Sequence, residues 1–333
     1  MIVVDADYLG RGRTGDETYV ENLLRALVPL AGDLRLGAIV RDASLAPEGV
    51  EPLVLPTGVQ ELRMAWSVPR LLRRVRPELV HFVHALPPRL PCAAVLTVQD
   101  LSFERSSSLM RRRDRAVFRA VVPRSVRRAA RVLAISERTK HDLVELYGVP
   151  GEKVVVTPLG VDPAFFPGDA RRGTYLLFVG AIQERKDPLA AVAAASAVGL
   201  PLVVVGPEKD ARLAEELRLA GADVRGYVPK GELAQLYRGA AALVLPSRYE
   251  GFGLPVVEAM ASGTPVVATP DDALREVGGD AAVFAEPPEL AGAVRRALED
   301  RERLVAAGLA RARRFSWEET ARRTLAVYRE LLA

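Results

Sequence analysis

Residues 246–260 read Pro-Ser-Arg-Tyr-Glu-Gly-Phe-Gly-Leu-Pro-Val-Val-Glu-Ala-Met, which sets two carboxylates, Glu250 and Glu258, eight positions apart around a glycine pair. The apolar run Ala242–Leu245 just before them has the character of a buried strand, and Pro255 suits the first turn of a helix. Gly251 and Gly253 would let backbone N–H groups approach a ligand closely, and the N-terminus of a helix favours an anion. Glu250 then falls in the loop and Glu258 about one turn into the helix, so the two can address different parts of one elongated ligand, such as a sugar and a ribose hydroxyl. A plain glycine turn with two surface glutamates would share these residues but not the agreement of strand, loop and helix.

Two other groupings need weighing. Gly10, Gly12 and Gly15 match G-x-G-x-x-G, but a dinucleotide site requires that turn to follow the first strand at once. Here Asp5, Asp7 and Tyr8 intervene after Val4, and Asp42 comes 27 positions after Gly15, later than the ~20 expected for a ribose-binding acid. NAD(P) binding is therefore the weaker reading, and a loop without ligand contact stays open. His81 and His84 are three apart with no third histidine or cysteine nearby, which favours structural or substrate-contact roles over metal. His141, in a polar helical stretch, should face solvent. Cys92 is the single cysteine, so neither an intrachain disulfide nor a cysteine-rich metal site can form.

The elements that must position these residues alternate along the chain. Strand candidates are 2–4, 34–40, 79–82, 93–98, 131–135 and 153–157, then 175–180, 202–206, 223–226, 242–245, 265–268 and 281–284. Helical stretches are 16–30, 111–129, 136–147, 187–198, 211–220 and 230–239. Several strands are continuous apolar runs, as in parallel sheets covered on both faces, so repeated βαβ units are expected. The 333 residues, 49% hydrophobic and 26% charged, can fill two cores. A proline- and glycine-rich stretch, Pro158–Gly173, marks the boundary. The last 30 residues read as helical, with Ser316-Trp317-Glu318-Glu319 as a capping box and Trp317, Leu325 and Tyr328 on an apolar face that needs a partner. No apolar run reaches the ~18 residues of a membrane span. The N-terminus lacks a basic lead with a long apolar stretch, so a cytoplasmic protein is expected.

Charge is uneven. Residues 60–140 carry 18 Lys/Arg against 6 Asp/Glu, although the whole chain has a net charge of only +4. Much of the excess lies in Met110–Arg115 and at Arg119, Arg124, Arg127, Arg128 and Arg131. A solvated arginine face is the simpler account, and peripheral contact with an anionic membrane is the functional one. Only Phe118 interrupts this run, which argues against single-stranded nucleic acid as a partner.

The stretch SRYEGFGLPVVEAMASGTPVVAT, with Glu250-x7-Glu258, resembles the donor-site signature of glycosyltransferase family 4, retaining enzymes of the GT-B fold. YVENLLRAL (19–27), VLTVQDLSF (95–103), AISERTKHDL (134–143), VVVTPLGVDP (154–163), FVGAIQERKD (178–187) and FSWEETARRTLAVYRELL (315–332) resemble family segments in order, so the likeness is nearly full length.

That resemblance implies two Rossmann-like doubly wound domains facing a cleft: an acceptor-side domain at 1–165, a nucleotide-sugar donor domain at 166–315, and a helix at 316–333 crossing back to the first domain. It implies that Arg185 and Lys186 hold the donor diphosphate and stabilise the departing charge, a role for which cations suit. Gly253 and Leu254 would offer N–H groups to phosphate, with Gly251 and Phe252 in the same loop. Glu250 would contact the transferred sugar, Glu258 the ribose, and the backbone at Gly226-Tyr227-Val228 the base. The loop holding Gly12 and Gly15 would contribute acceptor or phosphate contacts. The donor is expected to be a substrate, GDP-mannose or a UDP-sugar, with a glycan or lipid-linked acceptor and no cofactor. An Asp-x-Asp metal–diphosphate clamp is not expected, Arg185 and Lys186 supplying that charge instead, so no metal is expected. Two positions depart from the family pattern. Gln99 stands where a histidine is common before Asp100, and it can hydrogen-bond a sugar but cannot carry a proton. Asp100 stays available as an acceptor-side carboxylate. Leu159 replaces a common asparagine. Other classes stay open: a GT-B sugar-nucleotide epimerase, an NAD-dependent oxidoreductase, or a nucleotide-binding protein without transfer.

Overall fold

In a computed structural model, the structure describes residues 1–11, 14–56, 58–105, 112–168 and 173–333. The chain divides into two compact units, Met1–Gly160 with Trp317–Ala333, and Val161–Ser316.

The first unit holds β1 (Ile2–Asp5), β2 (Leu36–Val40), β3 (Glu51–Val54), β4 (Leu79–Val83), β5 (Ala93–Val98), β6 (Arg131–Ala134) and β7 (Val154–Val156). They form one sheet in the order β3-β2-β1-β4-β5-β6-β7, every pair parallel. Six of the seven coincide with apolar runs in the sequence. The exception, β3, was not expected. It is an edge strand with Glu51 and Pro52 and only Leu53 buried, so its composition carries no strand signal.

The second unit holds β8 (Leu176–Val179), β9 (Leu202–Val205), β10 (Asp223–Val224), β11 (Ala242–Leu245), β12 (Val266–Ala268) and β13 (Ala282–Phe284). Its all-parallel order is β10-β9-β8-β11-β12-β13. Both sheets are doubly wound. In each, the chain runs outward to one side and then returns to the other, between β1 and β4 in the first and between β8 and β11 in the second. Ligands of such sheets bind beyond the strand C-termini at that reversal.

The final helix, Trp317–Leu332, belongs to the first unit and packs on the helix Thr14–Leu27. Its Trp317 and Tyr328 are buried, Trp317 against the Tyr19 ring at 6.3 Å between centroids. Tyr19, Leu23, Leu24 and Leu27, spaced to share one face, are fully buried. Burying each such side chain is worth roughly 1.5–3 kcal/mol. The C-terminal region is not one helix, because Arg301–Ala312 ends before Trp317–Leu332 begins.

His81 sits beneath this packing. Its Nδ1 meets Tyr328 Oη at 2.5 Å and its Nε2 meets Thr97 Oγ1 at 2.7 Å, while Thr97 Oγ1 lies 2.8 Å from Tyr19 Oη. Burial lowers its pKa to about 3, so it is neutral. A structural role is thereby assigned. Among the described residues no cluster could hold a metal ion.

Residues 60–75, which show no clear helical signal, fold as a continuous helical run with a π turn at Arg63–Ser67. The wider turn swings Arg63 inward. It is fully buried, with Nη1 3.1 Å from Asp5 Oδ2 and its Nη2 on Asp5 Oδ1. Arg11 also pairs with Asp7, and Arg41 Nε lies 3.7 Å from Asp7 Oδ1. Asp5 and Asp7 form an Asp-x-Asp pair in the first half, but arginines neutralise it.

Candidate functional site

At the reversal point of the second sheet, the loops after β8 and β11 bring together residues far apart in sequence. After β8, Gly180 passes so close to Gly206 that a Cβ on Gly206 would lie 2.0 Å from Gly180 O. The chain then forms a single turn at Glu184–Lys186, and Asp187, in the left-handed region (φ 46°), starts the helix Pro188–Val198. After β11, the loop 246–253 leads to Gly253 at φ 102° and the helix Leu254–Ala261. A Cβ at Gly253 would stand 2.7 Å from Leu274 Cδ2, so both conformation and space require glycine.

These loops are stitched together. Arg248 N–H donates to Arg185 O at 2.9 Å, and Arg248 Nη2 to Asp187 Oδ2 at 3.0 Å. Arg185 Nη1 donates to Tyr249 O. Lys186 Nζ donates to Glu250 Oε1, and Arg185 Nη1 lies 3.7 Å from Glu250 Oε2. Lys186 and Glu250 are both buried. Burial alone would raise the Glu250 pKa, but the Lys186 and Arg185 charges override it and hold the carboxyl below its usual range. The group is two cations and one carboxylate, a net positive cluster beside a helix N-terminus. Such an arrangement binds a diphosphate and offsets charge developing on a leaving group.

Glu258 lies within the helix, as expected. Tyr237 Oη donates to its Oε2 at 2.8 Å. Burial, with a smaller push from Asp162, raises Glu258 to about 7 against that hydrogen bond. Tyr237 is a partner that sequence reasoning missed. It carries the spacing of an ordinary core residue in Lys230–Gly239 and no other signal. Gly226 O accepts from Gly206 N–H at 2.8 Å, which sets 226–228 beside the glycine approach at 180, with Val228 buried and Tyr227 65% exposed. Arg185, Lys186, Glu250, Gly251, Phe252, Gly253, Leu254, Glu258, Tyr227 and Val228 all belong to this unit.

The remaining site candidates belong to the first unit. Gly15 falls within the first turn of Thr14–Leu27, where a Cβ would meet Gln99 Oε1 at 3.4 Å. Gly12 lies outside the described residues. Asp100 Oδ1 accepts from Ser102 N–H at 2.9 Å, and Leu159 is buried. Asp42 caps the turn Ala43–Leu45 through Ser44 N–H, a structural use that answers the carboxylate wanted by an NAD site. Of the basic segment, Met110 and Arg111 lie outside the described residues. Arg115 donates to Phe103 O, Arg124 to Ala120 O and Arg128 to Pro87 O, while Arg119 pairs with Glu104 and Arg131 with Glu330. Those arginines are committed within the unit.

The chain thus consists of two doubly wound parallel units, the second with a buried cationic cluster at its reversal point. Residues 13–165 match the family model for Glycosyltransferase Family 4, and residues 166–314 match that for Glycosyl transferases group 1. The chain belongs to this glycosyltransferase family. It is 29% identical over 300 residues to O-antigen chain mannosyltransferase B of Escherichia coli, covering 81% of this chain and 77% of that protein. It is 35% identical over 230 residues to D-inositol 3-phosphate glycosyltransferase of Acidothermus cellulolyticus, covering 58% of this chain and 51% of that one. This stretch thus spans about half the length of the second relative. Among solved structures, sucrose-phosphate synthase from Thermosynechococcus elongatus superposes with a TM-score of 0.79 at 20% identity, over 99% of this chain and 98% of that one. Anabaena HepE in complex with UDP-glucose does so at 0.77 and 16%, over 99% of each. The fold is GT-B.

Proposed function

We propose that the protein moves a sugar from a nucleotide-diphosphate sugar to a hydroxyl of a glycan or lipid-linked acceptor, with retention at the anomeric carbon. The observation that carries this is the Arg185–Lys186–Glu250 cluster beside the Gly253 helix terminus. The Glu250 carboxylate is tied to Lys186 and Arg185 rather than left free to attack, so the displacement runs on one face of the sugar. The bond from the anomeric carbon to the diphosphate breaks, its electron pair leaves on the diphosphate, and the acceptor oxygen bonds the same face. The departing diphosphate takes the acceptor proton. Arg185 and Lys186 supply the neutralising charge, so no metal ion is required. GDP-mannose is the favoured donor because a curated relative is named a mannosyltransferase. UDP-sugars follow closely, since HepE was solved with UDP-glucose.

Peripheral contact with an anionic membrane, read from the arginine-rich segment, is supported by a second surface of the same unit. Leu62 and Trp66 are 55% and 58% exposed on the helical run over residues 60–75, and Val59, just before it, is 52% exposed. Arg70 stands over the Trp66 ring at 4.7 Å, and Arg73 and Arg74 follow exposed, with Glu61 the one carboxylate of the run. An apolar stripe continued by arginines suits the boundary between headgroups and acyl chains. No helix among the described residues is long and apolar enough to cross a membrane.

Thermal-shift screening with GDP, UDP, ADP, their sugar conjugates and NAD⁺, without metal, tests the reading. A ligand at about 100 times its Kd adds roughly 2.7 kcal/mol of stability. A shift with one nucleotide diphosphate and its sugar is expected, followed by transfer. A shift with NAD⁺ alone would overturn the reading.

A further inference from the structure

The reversal point of the first sheet carries a side-chain pair of its own. His84 follows the last residue of β4 and takes a left-handed φ of 65°, a conformation that costs a non-glycine residue about 1–2 kcal/mol. It is held there by its N–H, which donates to Thr97 O at 2.8 Å. The turn aims the imidazole at the first turn of Thr14–Leu27, where Nε2 meets Asp16 Oδ1 at 2.9 Å. The Phe118 ring packs edge-on against it at 6.4 Å. With Asp16 accepting from Nε2–H, the tautomer is set and Nδ1 keeps its lone pair. Among the described residues no other hydrogen bond reaches that ring.

Two groups from the neighbouring strand end lie in the same place. Gln99 follows β5 by one residue and approaches Gly15, the residue before Asp16. Its side-chain nitrogen is buried with no hydrogen-bond partner among the described residues. A buried amide donor left unpaired costs about 1–3 kcal/mol and marks a place where a ligand acceptor fits. Asp100 is close enough that its charge acts on His84.

Resting on the transfer reading above, we propose that His84, oriented by Asp16, recognises a hydroxyl of the acceptor saccharide through Nδ1, with the Gln99 amide donating to a neighbouring oxygen. Asp16 acts as a positioning residue through His84. Burial would lower the His84 pKa, but Asp16 and then Asp100 override it and the net direction is upward. A protonated ring has no acceptor, so acceptor recognition weakens as pH falls through a midpoint above the ordinary histidine value of 6.5.

The test uses the full chain. Only three histidines are present, so ¹⁵N spectra resolve His84 by comparison with His84→Asn, chosen because asparagine tolerates the left-handed turn. In protein saturated with GDP or UDP, whichever gives the thermal shift, methyl α-D-mannoside, a saccharide, and D-inositol 3-phosphate, a phosphorylated cyclitol, serve as hydroxyl-bearing probes. The expected result is a moved His84 Nδ1 resonance with one probe, and at least about tenfold weaker probe binding in His84→Asn with nucleotide Kd unchanged, the loss of one good hydrogen bond. Asp16→Asn should shift the acid limb of probe binding to lower pH, which a purely structural tie would not do. An unmoved Nδ1 resonance with both probes, or an acid limb the same in wild type and Asp16→Asn, overturns the proposal while leaving the donor site intact. Absence of transfer from every nucleotide sugar tested with the unaltered protein would instead overturn the transfer reading, whatever His84 does.

Discussion

Lys186 Nζ donates to Glu250 Oε1 across 64 positions of sequence, and Arg185 Nη1 stands 3.7 Å from the other carboxylate oxygen. The carboxylate holds the two cations at one point beside the Gly253 helix terminus, where the diphosphate of a donor would lie. Lys186→Ala should lower transfer by at least about 10²–10³, the usual loss when one charge-stabilising donor is removed. Glu250→Ala should abolish transfer while circular dichroism stays native. Near-normal rates in either variant would refute the assignment.

Gly253→Ala meets two obstacles, a φ of 102° and Leu274 Cδ2 at 2.7 Å from the new Cβ. The conformation alone costs about 1–2 kcal/mol. Equilibrium unfolding should show at least that loss, together with weaker nucleotide binding. Unchanged stability would mean the loop has a second conformation.

Glu258 titrates near 7 because burial, aided by Asp162, disfavours its charge. Below that value it is protonated, and above it the carboxylate can accept from both ribose hydroxyls. Nucleotide affinity should therefore rise between about pH 6 and pH 8 and flatten in Glu258→Gln. Calorimetry across that range decides it. A flat wild-type profile would remove Glu258 from the ribose.

His81 is neutral in the fold down to about pH 3 because it is buried. The unfolded chain takes up a proton below about 6.5 while the folded one does not, so the unfolded state binds more protons in that window. Its contribution to stability is present above 6.5 and is lost as pH falls, by up to about 1.4 kcal/mol per pH unit. Denaturant unfolding at about pH 7 and pH 5 should show this slope, reduced in His81→Gln. An equal slope in that variant would place the effect elsewhere.

Trp66→Ser with Leu62→Ser should reduce sedimentation with vesicles of anionic phospholipid, each exposed side chain being worth up to about 1.5–3 kcal/mol if fully inserted. Arg124→Ala with Arg127→Ala should have less effect. The reverse order would return the contact to the arginine-rich helix.

Much of this was legible from residue types alone. Twelve of the thirteen strands fall where the sequence places them, because strands covered on both faces are mostly apolar and stand out as short hydrophobic runs. The loop 246–253 and its helix were legible because glycine, proline and a buried strand follow one another locally. What escaped lacked a local signal: β3 buries one residue, Arg63 depends on a π turn, and Tyr237 resembles any core tyrosine until Glu258 is seen beside it. In the arginine-rich segment the charge pattern is visible in the sequence, but the partners that Arg115, Arg119, Arg128 and Arg131 take among carbonyls and carboxylates of their own unit are not.

Strand, helix and glycine-turn positions follow from patterns within a few residues, since burial period and backbone freedom are local properties. The order of strands in the two sheets is not local. It sets Lys186 on Glu250 and His84 on Asp16, pairs separated by 64 and 68 positions. Their charge states follow from the same fact, because desolvation and the nearest opposite charge depend on which side chains the packed sheet brings together.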